Sequence, residues 1–161
     1  MRKVPLYLGA MLLTLMLSAC GSNTLFEQQR TFKHNVWNNF TPELFDIEVK
    51  NIDNYYHIEF TAAVDTSVYR YDNVPFLIEL TSPNGEERQF YGTILLKENG
   101  RWRGEMVDGY RVATGRIRSY FSFNHRGLHH LSVAQNTSQY DLEGIHSLTV
   151  SVTKAKLDYD L

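Results

Sequence analysis

The chain has one cysteine in 161 residues, a single long apolar run, no lysine- or arginine-rich block and almost no helical periodicity. Each shortage excludes something. A solitary cysteine cannot form a disulfide within the chain. A formal charge of −2, from 16 Lys and Arg against 18 Asp and Glu, gives no electrostatic footing for nucleic acid. Without a second apolar stretch there is no further segment able to span a bilayer. No G-x-S-x-G elbow is present to expose a serine nucleophile, and no internal repeat or low-complexity block interrupts the sequence. Apolar residues nevertheless make up 43% of the chain, enough for one packed core rather than a disordered stalk.

The one cysteine is Cys20, and its surroundings explain it. Arg2 and Lys3 follow the initiator, and Leu6 to Leu17 carries no charge. At ~1.5 Å per residue such a helix is roughly 18 Å long, short of the ~30 Å hydrocarbon core. It reads as a signal-peptide core, with small residues Ser18 and Ala19 behind it. Leu17-Ser18-Ala19-Cys20 resembles the bacterial lipobox, which implies a diacylglyceryl group on the thiol, cleavage before Cys20 and fatty acids such as palmitate on the new N-terminus. Residues 1–19 are therefore expected to be a lipoprotein signal peptide. Residues 20–34 are expected to be the lipidated cysteine and a polar tether that includes GSNTLFEQQR, and residues 35–161 the folded domain. No cluster of acids follows Cys20, which favours an anchor facing the periplasm over one exported to the surface.

Past the tether, period-2 alternation dominates. Ile58, Phe60, Ala62 and Val64 alternate with His57, Glu59, Thr61 and Ala63, and Phe76, Ile78 and Leu80 repeat the pattern. Further strands are expected over Arg88 to Leu96, Trp102 to Val107, Ile117 to Phe123, Leu128 to Ala134 and around Leu148, Val150 and Val152. Asn84-Gly85, Asn99-Gly100 and Asp108-Gly109 mark turns, since tight hairpins need positive φ at both central residues. Asn124 to Gly127 (NHRG) offers a fourth. Helix starts are thin, at Thr41-Pro42-Glu43 and Gln139 to Glu143. The pattern predicts an all-β, jelly-roll-like antiparallel sandwich of about 7–9 strands.

Several segments then occur in one order: VWNNF around Trp37, Tyr69-Arg70-Tyr71-Asp72-Asn73, SPNGE, GRWRGE around Trp102 and Gly104, and LEGI at 142–145. Behind a lipobox, this set resembles the gliding motility lipoprotein GldH family over roughly Thr24 to Lys156. Two places depart from that pattern: His129 stands where an aromatic is expected, and QNTS replaces a basic residue after Gln135. The resemblance implies an outer-membrane lipoprotein tied to gliding motility and type IX secretion, with envelope proteins of that machinery as partners. In non-gliding relatives it implies support for envelope assembly or secretion. It supplies no catalytic residue and no cofactor.

The residues themselves point the same way. His129 and His130 are adjacent on a strand and face opposite sides, so they do not share a metal ion easily; the six histidines read as surface groups. Asp46 and Glu48 share one strand face, where neighbouring carboxylates are ordinarily solvated rather than set across a cleft. The expectation is a non-enzymatic protein bound to the membrane through Cys20. Trp37 and Trp102 are assigned to the core or its rim. Tyr69, Tyr71, Asp72 and Asn73 form the candidate partner-binding run, because Asp72-Asn73 marks a loop. Together with Tyr55-Tyr56, Tyr91, Trp102 and Tyr110, these tyrosines also suggest an alternative: a lipid-anchored carbohydrate-binding module that stacks aromatics on sugar rings.

Overall fold

Alternation becomes strand wherever one face can be buried. In β4 (Tyr56–Val64), Tyr56, Ile58, Phe60, Ala62 and Val64 face the interior, while His57, Glu59 and Thr61 are half-exposed. The same rule buries Val74, Phe76, Ile78 and Leu80 of β5 (Asn73–Thr81) and Leu148, Val150 and Val152 of β13 (Ile145–Lys154). The computed structural model describes residues 23–157. Cys20 and the expected signal peptide lie outside the described residues.

Eight strands are long. Besides β4, β5 and β13 they are β1 (Thr24–Thr31), β3 (Glu43–Val49), β6 (Glu87–Leu95), β10 (Tyr110–Phe121) and β11 (Gly127–Gln135). One sheet runs β1-β13-β4-β10, with the short β9 (Glu105–Val107) on its edge, and the other runs β3-β11-β5-β6. Every pairing is antiparallel. Counted along the chain, the long strands lie in the orders 1-8-3-6 and 2-7-4-5, the interlocked Greek keys of a jelly roll. The all-β antiparallel sandwich is therefore as expected. The strand total exceeds 7–9 because two small ribbons, β2 (Val36–Asn38) with β12 (Asp141–Glu143) and β7 (Lys97–Glu98) with β8 (Arg101–Trp102), decorate one end.

Three expectations need correction. The polar stretch assigned to the tether is, from Thr24, strand β1, paired with β13 from Thr24↔Thr153 to Thr31↔Ser147. Neither helix start forms: Glu43 begins β3, and Asp141–Glu143 is β12. NHRG joins β10 to β11, but these lie in opposite sheets, so it is a crossover and not a hairpin. The true hairpins behave as their sequences require. Asn99 and Gly100 (φ 51° and 75°), like Asp108 and Gly109 (φ 50° and 85°), sit at positive φ. In the β5–β6 loop only Gly85 does, because its N–H closes a turn on the Ser82 carbonyl at 2.9 Å and Ser82 in turn pairs with Glu86.

Topology gives the sandwich two unlike ends. Loops 50–55, 82–86 and 122–126 lie at the end where the described chain starts and stops. The opposite end gathers loops 32–42, 65–72, 96–109 and 136–144, tied by backbone bonds from Asp65 N to Gly144 O (2.8 Å), Gly144 N to Asn35 O (2.8 Å) and Leu96 N to Asp72 O (2.7 Å). Two glycines permit this convergence. A Cβ on Gly104 (φ +69°) would lie 1.9 Å from the Val112 carbonyl oxygen, and one on Gly144 (φ +87°) 2.8 Å from Tyr69 N. Those are the glycines of GRWRGE and LEGI.

Candidate functional site at the loop end

The run from Tyr69 to Asn73 is built as a brace. Asp65 starts it: its carboxylate accepts from the Ser67 backbone N–H at 2.9 Å and the Ser67 hydroxyl at 2.6 Å, and its carbonyl accepts from Tyr69 N at 2.8 Å. The hydroxyl bond from Ser67, then the backbone one, hold the Asp65 carboxyl below its ordinary pKa. Tyr69 is buried and donates its hydroxyl to the Asn73 carbonyl at 2.7 Å. Burial, with Tyr71 adding to it, pushes the Tyr69 phenol far up, so it stays a neutral donor. The Asp72 carbonyl takes N–H groups from Leu96 and Lys97, and its carboxylate pairs with Lys97 Nζ at 3.4 Å. That exposed pair is worth about 0–1 kcal/mol. Of the four expected partner residues, Tyr69 and the backbone of Asp72 and Asn73 hold the corner together. The Tyr71 side chain is exposed, edge-on to Tyr69 at 5.6 Å.

Beside this corner lies an open, polar cleft of about 420 Å³, lined by Ser67, Arg70, Tyr71, Gln139, Asp141 and Glu143. Its rim bears a pair that sequence reasoning missed. Phe40 and Tyr140 stack at 5.5 Å and 20°, though 73% and 69% exposed. Asn38 fixes both loops. Its amide donates to Asp141 Oδ1 at 2.7 Å, its carbonyl oxygen Oδ1 accepts from Phe40 N at 2.9 Å, and Asn39 N donates to the Tyr140 carbonyl at 2.7 Å. A large ring inside each polar loop, NNFTP and SQYD, was the available signal. Neither ring belongs to a periodic pattern, so only their meeting in space reveals them.

Trp37 is in the core, and Trp102 lies half-covered at the periphery. The two-residue strands of the β7–β8 ribbon pair only with each other. Trp102 stays 36% exposed, with Lys97 Nζ 4.2 Å above its ring and Arg111 5.6 Å away. Of the tyrosine–tryptophan set considered for stacking on a sugar ring, Tyr69 is buried and Lys97 lies over one face of Trp102, while Tyr71 stays exposed. Asp46 and Glu48 share an exposed face, where Asp46 pairs with His130 at 2.7 Å.

His129 also departs from expectation: it is fully buried, not a surface group. It occupies an inward position of β11 with Leu131 and Val133, edge-on to Phe123 at 4.9 Å. Its Nδ1–H donates to the Gly127 carbonyl at 3.2 Å, and Nε2 has no partner among the described residues. Burial lowers its pKa; the Gly127 bond opposes this, His125 and Arg88 reinforce it, and Glu48 works against it. A base with a folded-state pKa below its unfolded value near 6.5 supports the fold fully above that pH and loses that support as pH falls. His129→Phe is expected to be more stable than the natural chain by about 1 kcal/mol, because removing an unpaired buried nitrogen outweighs losing the bond to the Gly127 carbonyl. The gap should widen below about pH 6.5, as read from urea midpoints at neutral and mildly acidic pH. A gap that narrows with acid would show that the imidazole is charged in the fold.

Fold and loops together define a small jelly-roll domain that presents Phe40, Tyr71 and Tyr140 from braced loops at one end. The chain belongs to the GldH lipoprotein family, whose model matches residues 24–152, from the first residue of β1 to near the end of β13. Neither the curated proteins nor the solved structures contain a match to it. Membership of a lipoprotein family carries association with a membrane of the cell envelope.

Proposed function

We propose that this chain is a non-enzymatic lipoprotein of the outer membrane. Lipid on Cys20 holds it facing the periplasm, where it supports the gliding motility and/or type IX secretion machinery through protein contacts. Family membership supports the setting. The observation that carries the contact surface is the stacked, exposed Phe40–Tyr140 pair on latched loops beside Tyr71. Exposed aromatics held rigid lose little side-chain freedom on binding, which is why such residues anchor interfaces.

Cross-linking in native membranes followed by pull-down tests this reading. The natural chain is expected to capture envelope proteins of that machinery, and Phe40→Ser/Tyr140→Ser several-fold less. Both side chains lie on the surface, so stability should change by only about 0.5 kcal/mol per site. Equal capture by the double variant would remove the loop end from the contact. Intact secretion and surface motility after deletion of the gene would remove the machinery from the proposal.

A further inference from the structure

The structure fixes where the described residues begin, and the sequence puts that point only three residues from Cys20. The Asn23 carbonyl accepts the Lys154 N–H at 2.6 Å, and Thr24 pairs with Thr153. Only Gly21 and Ser22 separate Asn23 from Cys20. Three Cα steps of 3.80 Å reach at most about 11 Å. We propose that the end of the sandwich bearing Asn23 rests on the leaflet that the acyl chains of Cys20 enter, with Tyr55 and Leu157 at headgroup level. This rests on lipid attachment at Cys20, as proposed above.

The surface around that exit fits a lipid boundary. Tyr55 and Leu157, each 42% exposed, flank a shallow depression beside Asn23 together with Asp53, Lys154 and Lys156. The Ala155 N–H bonds to the Tyr55 carbonyl at 2.8 Å, so the segment entering β4 and the one leaving β13 are fastened to each other. Tyr120, 53% exposed, lies at the same end, where neighbouring Phe121 pairs with Tyr56. Tyrosine suits this depth because its ring is apolar and its hydroxyl is wet. Charge is mixed there: Lys50, Arg88, Arg126, Lys154 and Lys156 stand among Asp53, Glu86 and Glu87, with His125 beside Glu86. Contact is therefore apolar in origin and needs no anionic lipid. Lying on the β1 side instead would press the exposed Glu27, Gln28 and Gln29 against the headgroups for no apolar gain.

Upright placement has a consequence for the loop end. β1 is 8 residues long, and at about 3.4 Å per residue it spans roughly 27 Å. Phe40, Tyr140 and Tyr71 then project away from the bilayer, toward partners in the aqueous space.

The test uses the acylated full-length protein in phosphatidylethanolamine–phosphatidylcholine vesicles with a headgroup quencher. Acylation blocks Cys20, so a second cysteine takes a fluorophore uniquely, and the N-terminal mass confirms the acyl chains. Lys156→Cys is expected to be quenched several-fold more than Ser138→Cys, with no change at high salt. Adding Tyr55→Ser and Leu157→Ser should lower quenching at Lys156→Cys several-fold while leaving the acyl mass unchanged. Comparable quenching at both sites, or none at Lys156→Cys in an acylated chain, overturns the docking. A mass showing no acyl chain overturns the attachment at Cys20, and the docking with it.

Discussion

Cys20→Ser is expected to abolish fatty-acid incorporation, leave the leader uncleaved and remove the mature protein from its membrane. The energetic case is lopsided. Buried acyl chain contributes about 0.8 kcal/mol per CH₂, so a single long chain is worth on the order of 10 kcal/mol and two or three make the anchor durable. Nothing else among the described residues approaches that: no helix there is long and apolar enough to cross a membrane. A contact through Tyr55 and Leu157 contributes at most a few kcal/mol, by roughly 25 cal/mol per Å² of apolar surface removed from water. The β-domain itself should be indifferent to the change, since its sheets are complete from Asn23 onward among the described residues. Metabolic labelling with a radioactive fatty acid, fractionation and gel mobility check all three outcomes. Unchanged labelling of the serine variant would sink the assignment of Cys20. Loss of the folded domain's cooperative melt would show that residues before Asn23 contribute to the sandwich.

Long-range architecture was partly legible because alternation depends only on which face is buried. β5 alternates throughout and β4 and β13 over most of their length, so their residues announced them. β1 did not. Its apolar residues, Leu25 and Phe26, are consecutive, its register on β13 shifts between Thr24 and Phe26, and three exposed polar residues follow. An edge strand at a bulge has little to bury, so it reads like a tether. Sheet membership was also hidden: NHRG looks like a hairpin turn, yet the choice between pairing β10 with β11 and sending them to opposite sheets is made by the whole jelly-roll order.

At the loop end, sequence marked the right place and misjudged its parts. Tyr69 to Asn73 lies where four loops converge, as the Asp72-Asn73 loop signal suggested. Half of that run is spent on bracing, because a buried Tyr69 hydroxyl needs the Asn73 carbonyl and two strand-end N–H groups need the Asp72 carbonyl. Phe40 and Tyr140 are about one hundred residues apart and meet only through the β2–β12 ribbon. No local pattern encodes that contact. His129 illustrates the converse: its position in the alternation, two before Leu131, was inward, but its polarity suggested a surface group.

Trp37→Ala is expected to destabilise the domain by about 3–5 kcal/mol, the range for deleting a large buried aromatic. That is a large share of the 5–15 kcal/mol typical of a whole domain. Trp37 is 1% exposed, stacks on Phe32 at 4.8 Å and packs against Phe76 at 5.9 Å, so it joins the ribbon β2–β12 to the sandwich. Trp37→Phe separates the two contributions to this cost. The indole Nε1–H is buried with no hydrogen-bond partner among the described residues, and an unmet donor costs about 1–3 kcal/mol. Phenylalanine loses some packing but also removes that donor, so its net cost should stay below about 1.5 kcal/mol, like other shape-tolerant apolar swaps. Urea unfolding of both variants measures the difference; a phenylalanine as costly as alanine would mean that Nε1 finds a water partner in the fold. The consequence then reaches the candidate site. Asn38, the neighbour of Trp37, latches the Phe40 and Tyr140 loops, so Trp37→Ala should also weaken partner capture at temperatures where the sandwich is still folded. Trp37→Phe should keep it.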